Sequence, residues 1–280
     1  MIQQNTPEWL EMRKSKLGAS DAPVIMKVSP YKTPYQLWQE KLGLTEEREQ
    51  NAAMQRGHNL EHLARTDLEL KLGMPLIPSV KVHKERSWMM ASLDALSFDE
   101  TLAAEIKCPG KEDHAIAQAG EVPQKYFPQL QHQLEVCELE MIHYFSFDGE
   151  DGVIVQVYRD DKYIKQMLKE EEKFYECMQN FEAPALTDKD YQQIHSDEWI
   201  QLADEWKRVS SALHDMEQKE KELKQELITL CNGQSSIGAG IKVSHCVRRG
   251  AVDYASIPDL KRMDLEPYRK KSTEYWRITS

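Results

Sequence analysis

The chain has 280 residues, 40% of them hydrophobic and 30% charged, with a net charge of −11. That length suits one large domain or a domain with an appendage; no apolar run nears the ~20 residues of a membrane helix, and the N-terminus lacks the basic and apolar regions of a secretory signal. Five single cysteines, at 108, 137, 177, 231 and 246, include no CxxC pair, which argues against disulfide staples, zinc and iron–sulfur sites and for a reduced, cytoplasmic protein.

An acidic chain is an unpromising nucleic-acid partner, but the charge is uneven: −13 over residues 1–199, +2 over 200–280, and +4 from 234 onward. A basic tail on an acidic body can follow a phosphate backbone, and a bound metal reverses the local sign where carboxylates gather.

Thr6-Pro7-Glu8 opens a first helix that ends near Gly18, with Thr6 as the cap and Pro7 at the first helical position. Ala19-Ser20-Asp21-Ala22-Pro23 opens a second, and residues 35–42 read as a third, stopped by Gly43. Residues 45–52 read as an exposed loop. Leu60, Leu63, Ala64, Leu68 and Leu72 recur at helical spacing over 59–72, closed by Gly73 and Pro75. The period then changes. Residues 80–83, 87–98 and 102–108 read as strands, with a hairpin at 99–101. A helix over 124–138, strands over 142–147 and 153–158, and an amphipathic helix over 160–181 follow. This order predicts an α/β fold with helices around a mixed central sheet.

Pro184 and the polar stretch around it mark a boundary. Beyond it, Trp199, Leu202, Trp206, Val209, Leu213, Met216, Leu223, Leu227 and Leu230 keep a spacing of three and four, broken only by Glu220 and ended by Asn232-Gly233. This predicts a long helix whose seam packs either within the chain or against another copy. A Gly-rich turn, a strand near 241–247 and a basic tail complete the chain. The expected divisions are 1–183, 196–233 and 234–280.

The most informative spacing is Asp94 followed eleven residues later by Glu105-Ile106-Lys107. Strand side chains alternate, so Glu105 and Lys107 share one face while Ile106, Leu102 and Ala104 face a core. With Asp94 on the neighbouring strand the two carboxylates can converge, a donor set that suits magnesium, which takes one or two carboxylates and keeps waters. Lys107 is placed to orient or deprotonate a water. Such a short pattern also describes a surface hairpin with a cross-strand ion pair. Context adds to it. Glu61 lies at the edge of the apolar face of the 59–72 helix, as a further metal carboxylate or a solvated residue. Gln129, Gln131 and Gln133 follow on a helix where glutamines are usually at the surface. Arg13 and Ser20 set a cation and a hydroxyl near two helix starts, a phosphate grip or a solvated pair.

Together these blocks resemble the YqaJ-type viral recombinases, relatives of the phage lambda exonuclease, within the PD-(D/E)xK nucleases. The matching residues are Trp9, Arg13 and Gly18-Ala19-Ser20-Asp21; Gly57-His58-Asn59-Leu60-Glu61; Ser92-Leu93-Asp94-Ala95-Leu96; Glu105-Ile106-Lys107-Cys108-Pro109; and Pro128-Gln129-Leu130-Gln131. The resemblance covers roughly residues 7–180. It implies a restriction-endonuclease-like core, here with a C-terminal helical and small α/β extension. It implies that Asp94 and Glu105 ligate Mg2+ with support from Glu61, Mn2+ substituting and Ca2+ inhibiting. Lys107 would act on the attacking water and Gln129 would position it; Arg13 and Ser20 would grip a 5′ phosphate, and Ser92 would assist near the scissile phosphate. The family degrades one strand of duplex DNA from the 5′ end. Its lambda-like members form a trimeric ring and pass the 3′ strand to a single-strand annealing protein.

In one departure, Gly110-Lys111-Glu112-Asp113-His114 stands where the lambda-like pattern carries a DNA-binding arginine, leaving Lys111 as a point charge. The residues after 200 are a second. Arg248-Arg249 and Arg269-Lys270-Lys271 suit DNA contact, and Tyr275 and Trp276 suit base stacking, or all of them form a solvated surface. An endonuclease or RecB-like repair nuclease of the same fold, and a non-catalytic DNA-binding scaffold, are the competing readings.

Overall fold

A computed structural model of the chain describes residue 4, residues 6–45 and 52–248, and positions 250, 251, 253, 257 and 263. The expected loop residues 46–51, the basic residues Arg249, Arg269, Lys270 and Lys271, and the aromatic pair Tyr275–Trp276 lie outside the described residues. The chain divides into two units, Met1–Gln192 and Gln193–Ser280.

In the first unit, helix α1 (Pro7–Ser15) starts as its sequence dictates: the Thr6 hydroxyl accepts the Trp9 amide at 3.3 Å, and Pro7 occupies the first turn. A two-residue strand β1 (Leu17–Gly18), a 3-10 turn over Ala19–Asp21 and a short helix α2 (Ala22–Ile25) follow. Helix α3 (Pro34–Lys41) opens on a capping box between Thr33 and Gln36. Helix α4 (Ala52–Leu72) begins seven residues earlier than the apolar spacing predicts, because residues 52–58 carry no such period.

Strands β2 (Ile77–Val82), β3 (Met89–Leu96), β4 (Ala103–Lys107), β5 (Met141–Phe147) and β6 (Gly152–Tyr158) join β1 in a six-stranded sheet of order β1-β3-β4-β5-β6, with β2 also paired to β3. The β1–β3 and β4–β5 pairs are parallel and the rest antiparallel, so the sheet is mixed, as expected. Helix α6 (Phe127–Cys137) covers one face, where Leu130 and Leu134 meet Met89, Leu93 and Tyr144; α4 covers the other, where Ala64 and Leu68 meet Ile106 and Phe145. Helix α7 (Asp161–Asn180) packs beside α6. A further helix, α5 (Lys111–Gln118), fills a stretch to which sequence pattern assigns no element.

One irregularity positions the site. β2 and β3 pair Ile77 with Leu96 but Ser79 with Leu93, so β3 carries one extra residue between them. That is a β-bulge, which re-aims side chains. Its effect is visible in the packing: Leu93 and Leu96 both face α6, while Ala95 faces α4. Asp94 sits in the bulge.

Gly152 opens β6 where an added Cβ would run into the Phe145 ring and the Asp67 carboxylate. Gly152→Ala is therefore expected to cost about 1–3 kcal/mol through overpacking, read as a lower urea midpoint with an unchanged m-value. A shift below ~0.5 kcal/mol would show that Phe145 gives way.

Among the described residues the second unit holds helix α8 (Asp197–Leu230), capped by Ser196 on the Trp199 amide at 3.3 Å, and a hairpin of β7 (Ser236–Gly238) and β8 (Ile241–Val243). The strand expected to run to 247 stops at Val243, and its partner β7 lies in what reads as a turn. No helix among the described residues is long and apolar enough to cross a membrane.

Candidate active site

β3 and β4 stay paired only at Leu96–Ala103 and Ala95–Ala104. Past that point the Asp94 carboxylate, not a β3 backbone carbonyl, accepts the Ile106 amide, at 2.9 Å. The strands part there, and Asp94, Glu105 and Lys107 line the opening. Strand alternation puts Glu105 and Lys107 on the α6 side and Ile106 in the core beneath α4, as the sequence reading expects.

Glu105 is buried, with 2% of its surface exposed, yet every bond around it is a donor's. One carboxylate oxygen accepts from the Gln129 amide at 2.5 Å and from the Lys107 ammonium; the other accepts from the Gln133 amide. Buried carboxylates persist only with such compensation. Gln133 donates to the Ser92 carbonyl at 3.3 Å as well, so α6 grips both strands of the opening. The glutamines of α6 are thus not surface residues: Gln131 and Gln133 are fully buried, and Gln131 ties the Tyr158 carbonyl to the Asp160 amide at 2.9 Å each. Period 3.6 cannot reveal this, because α6 is buried on its polar side as well.

Burial, with Glu105 nearby, pushes the Asp94 carboxyl up to about 8, against the pull of Lys107. Burial also works against the Lys107 charge, but Glu105 and Asp94 hold its pKa above the ordinary lysine value. The ammonium lies 5.5 Å from the centre of the Tyr126 ring. Two carboxylates crowded in low dielectric, one of them raised by the other, form a hard-oxygen set whose repulsion a divalent cation would relieve. Asp94 and Glu105 are the residues that could hold it. Among the described residues no group of three His, Cys, Asp or Glu side chains gathers as a metal cage.

Glu61 is bonded instead to Arg65, one turn on, at 2.7 Å, and Arg65 donates to the Asp94 carbonyl at 2.9 Å. Glu61 therefore reaches the site through Arg65, a residue sequence reasoning missed although its i+4 spacing was the available signal.

The other expected residues form an adjoining chain. Arg13 donates to the Ser20 hydroxyl at 3.2 Å and lies 4.7 Å over the Trp9 ring, whose indole N–H donates to the Ser92 hydroxyl at 2.9 Å. This carries the exposed Arg13–Ser20 pair to within two residues of Asp94. Underneath, Lys41 donates to the carbonyls of Arg13 and Lys16 at 2.7 and 2.9 Å and pairs with buried Asp21, which in turn accepts the Gly18 amide. Burial alone would raise the Asp21 carboxyl, but Lys41 and Arg13 hold it low. The sequence gives no sign of this pair, which needs α3 docked on α1. Lys111 stands exposed at the first residue of α5, four residues beyond Lys107.

Residues 8–140 match the family described as YqaJ-like viral recombinase domain. The chain is 30% identical over 186 residues to the uncharacterized protein YqaJ of Bacillus subtilis (strain 168), a match covering 64% of this chain and 58% of the relative, so it spans less than two thirds of that protein. Among solved structures it resembles an alkaline exonuclease (LHK-Exo) from Laribacter hongkongensis, with a TM-score of 0.54, 27% identity, and 63% of this chain and 94% of that one covered. The same enzyme in complex with dAMP matches at 26% identity and a TM-score of 0.54, over the same shares of the two chains. The split strand pair, with its acidic and basic side chains facing α6, lies within the segment matched to that family. Over residues 8–140 the chain is thus similar to the YqaJ-like viral recombinase domains, with an alkaline exonuclease as a structural neighbour.

Proposed function

We propose that this chain is a magnesium-dependent exonuclease that digests one strand of linear duplex DNA in the 5′→3′ direction and leaves a 3′ single strand for recombination by strand annealing. The observation that carries the reading is the buried Glu105 carboxylate, held by Gln129, Gln133 and Lys107 opposite Asp94 on parted strands. The LHK-Exo neighbour in complex with dAMP supports release of mononucleotides.

In this reading Asp94 and Glu105 hold the metal, which when bound polarises the scissile phosphate and acidifies a water. Gln129 and Gln133 fix the plane of the Glu105 carboxylate beforehand, so no reorganisation is needed at the moment of reaction. Arg65 locks the Asp94 backbone and takes up the Glu61 charge. Lys107 acts on the attacking water and offsets charge developing on the phosphorus oxygens. The Arg13–Ser20 pair receives the 5′-terminal phosphate, a guanidinium fork beside a hydroxyl, while Ser92 assists near the scissile phosphate and Lys111 offers a point charge to the backbone. A ring of copies and a single-strand annealing protein as recipient of the 3′ strand complete the proposal.

Linear duplex DNA labelled at one 5′ end or one 3′ end, incubated with magnesium beside a closed circle, tests it. The expected result is early release of 5′-labelled mononucleotide with the circle intact. Nicking of the circle moves the protein to the endonucleases; no cleavage with magnesium or manganese makes it a non-catalytic DNA-binding protein.

A further inference from the structure

Helix α8 runs 34 residues without a buried side chain, although its nine apolar seam residues are 36–77% exposed. The seam alternates three and four without a slip from Trp199 to Leu230, which is four heptads and more of a and d positions. A strict 3.5-residue repeat matches another helix of the same pitch, not a sheet or a globular groove. Length narrows the choice of partner. α8 is about 50 Å long, whereas the next longest helices, α4 and α7, have 21 and 20 residues. The helix of matching length and period is α8 of a second copy.

The chemistry of the seam fits that partner. Its exposed side chains offer on the order of 800 Å² per helix, about the half-interface that a stable pair of proteins needs. The single charge in it, Glu220, occupies an a position. In a parallel pair each a side chain packs against the residue just before the matching a position of the other helix. There the second copy supplies Lys219, a cation for the carboxylate. We infer that α8 is a self-association element, joining copies of this chain through a parallel coiled coil in which Glu220 sets register at a cost in affinity. This inference does not rest on the nuclease reading.

Full-length protein carrying Val209→Cys tests it, with the wild type and its five native cysteines as background. In a parallel pair the two introduced thiols face each other, so mild oxidation yields a covalent dimer. The double substitution Leu213→Glu with Leu223→Glu abolishes that product and lowers the mass measured by light scattering, without changing far-UV circular dichroism. Glu220→Leu tightens association by about tenfold in Kd. A chain that stays monomeric up to 100-fold dilution series at micromolar concentration, a Val209→Cys variant that gives no more covalent dimer than the wild type, or cross-linking indifferent to the two glutamates, each overturns the coiled coil.

Discussion

Lys107→Ala is expected to leave DNA binding within about threefold of wild type and to lower single-turnover cleavage by roughly 10³-fold, in the range of a lost acid–base or charge-stabilising group. The expectation follows from where the side chain sits. Its ammonium touches Glu105 and lies beside Asp94, and it is half-buried in the opening between β3 and β4. It has little surface to offer duplex DNA for affinity, which leaves chemistry as its use. The scaffold should survive the change, because Gln129 and Gln133 still satisfy both Glu105 oxygens. Binding measured by fluorescence anisotropy in calcium and cleavage measured in magnesium separate the two effects. Turnover within tenfold of wild type would remove Lys107 from the mechanism, and lost binding would make it a DNA contact.

The second large effect concerns stability. His132 and Glu171 have no exposed surface, and the imidazole Nδ1 lies 2.7 Å from one Glu171 oxygen while Nε2 lies 3.0 Å from the Met90 carbonyl. With acceptors on both sides, both ring nitrogens are satisfied as donors only when the ring is charged. Burial alone would lower its pKa, but Glu171 and the Met90 carbonyl hold it above the ordinary histidine value. Removing the ring leaves a carboxylate buried in the junction of α6 and α7, so His132→Ala should cost about 3–5 kcal/mol and lower Tm by roughly 10 °C. The sign of the pH dependence follows. A raised folded pKa contributes stability that is fully present below ~6.5 and lost as pH rises through the folded value. The gap between wild type and variant should therefore be widest near pH 6 and narrow toward pH 9. Urea unfolding at the two pH values decides it: a constant gap would mean a neutral, packed histidine.

Much of this arrangement is legible in the sequence, and what is not has physical causes. Alternation alone places Glu105 and Lys107 together over an apolar Ile106, because β4 stays paired with β5 through Lys107 and so keeps its extended backbone. Thr6, Thr33 and Ser196 announce their helices through local hydrogen bonds. The bulge at Asp94 is invisible, since the extra residue exists only relative to the register of β2. α6 misleads for a related reason. A helix with Gln129, Gln131, His132 and Gln133 in sequence reads as half-solvated, yet it is buried around nearly its whole circumference and its polar groups find partners on β3, β4, β6 and α7. The Asp21–Lys41 pair and the Arg65 bridge likewise depend on contacts between elements that no local pattern encodes.

The parts of the opening come from distant points of the chain: Trp9 on α1, Arg65 on α4, Asp94 and Glu105 on two strands, Gln129 and Gln133 on a helix that Glu171 on α7 clamps from behind. Domains emerge from the ribosome N-terminus first. A nascent chain therefore has its carboxylates well before it has the helix that holds them, and that helix before the clamp. Until α7 has been made, His132 has no Glu171 to meet, so aborted translation products ending short of residue 171 would carry Asp94, Glu105, Gln129 and Gln133 without the clamp behind them.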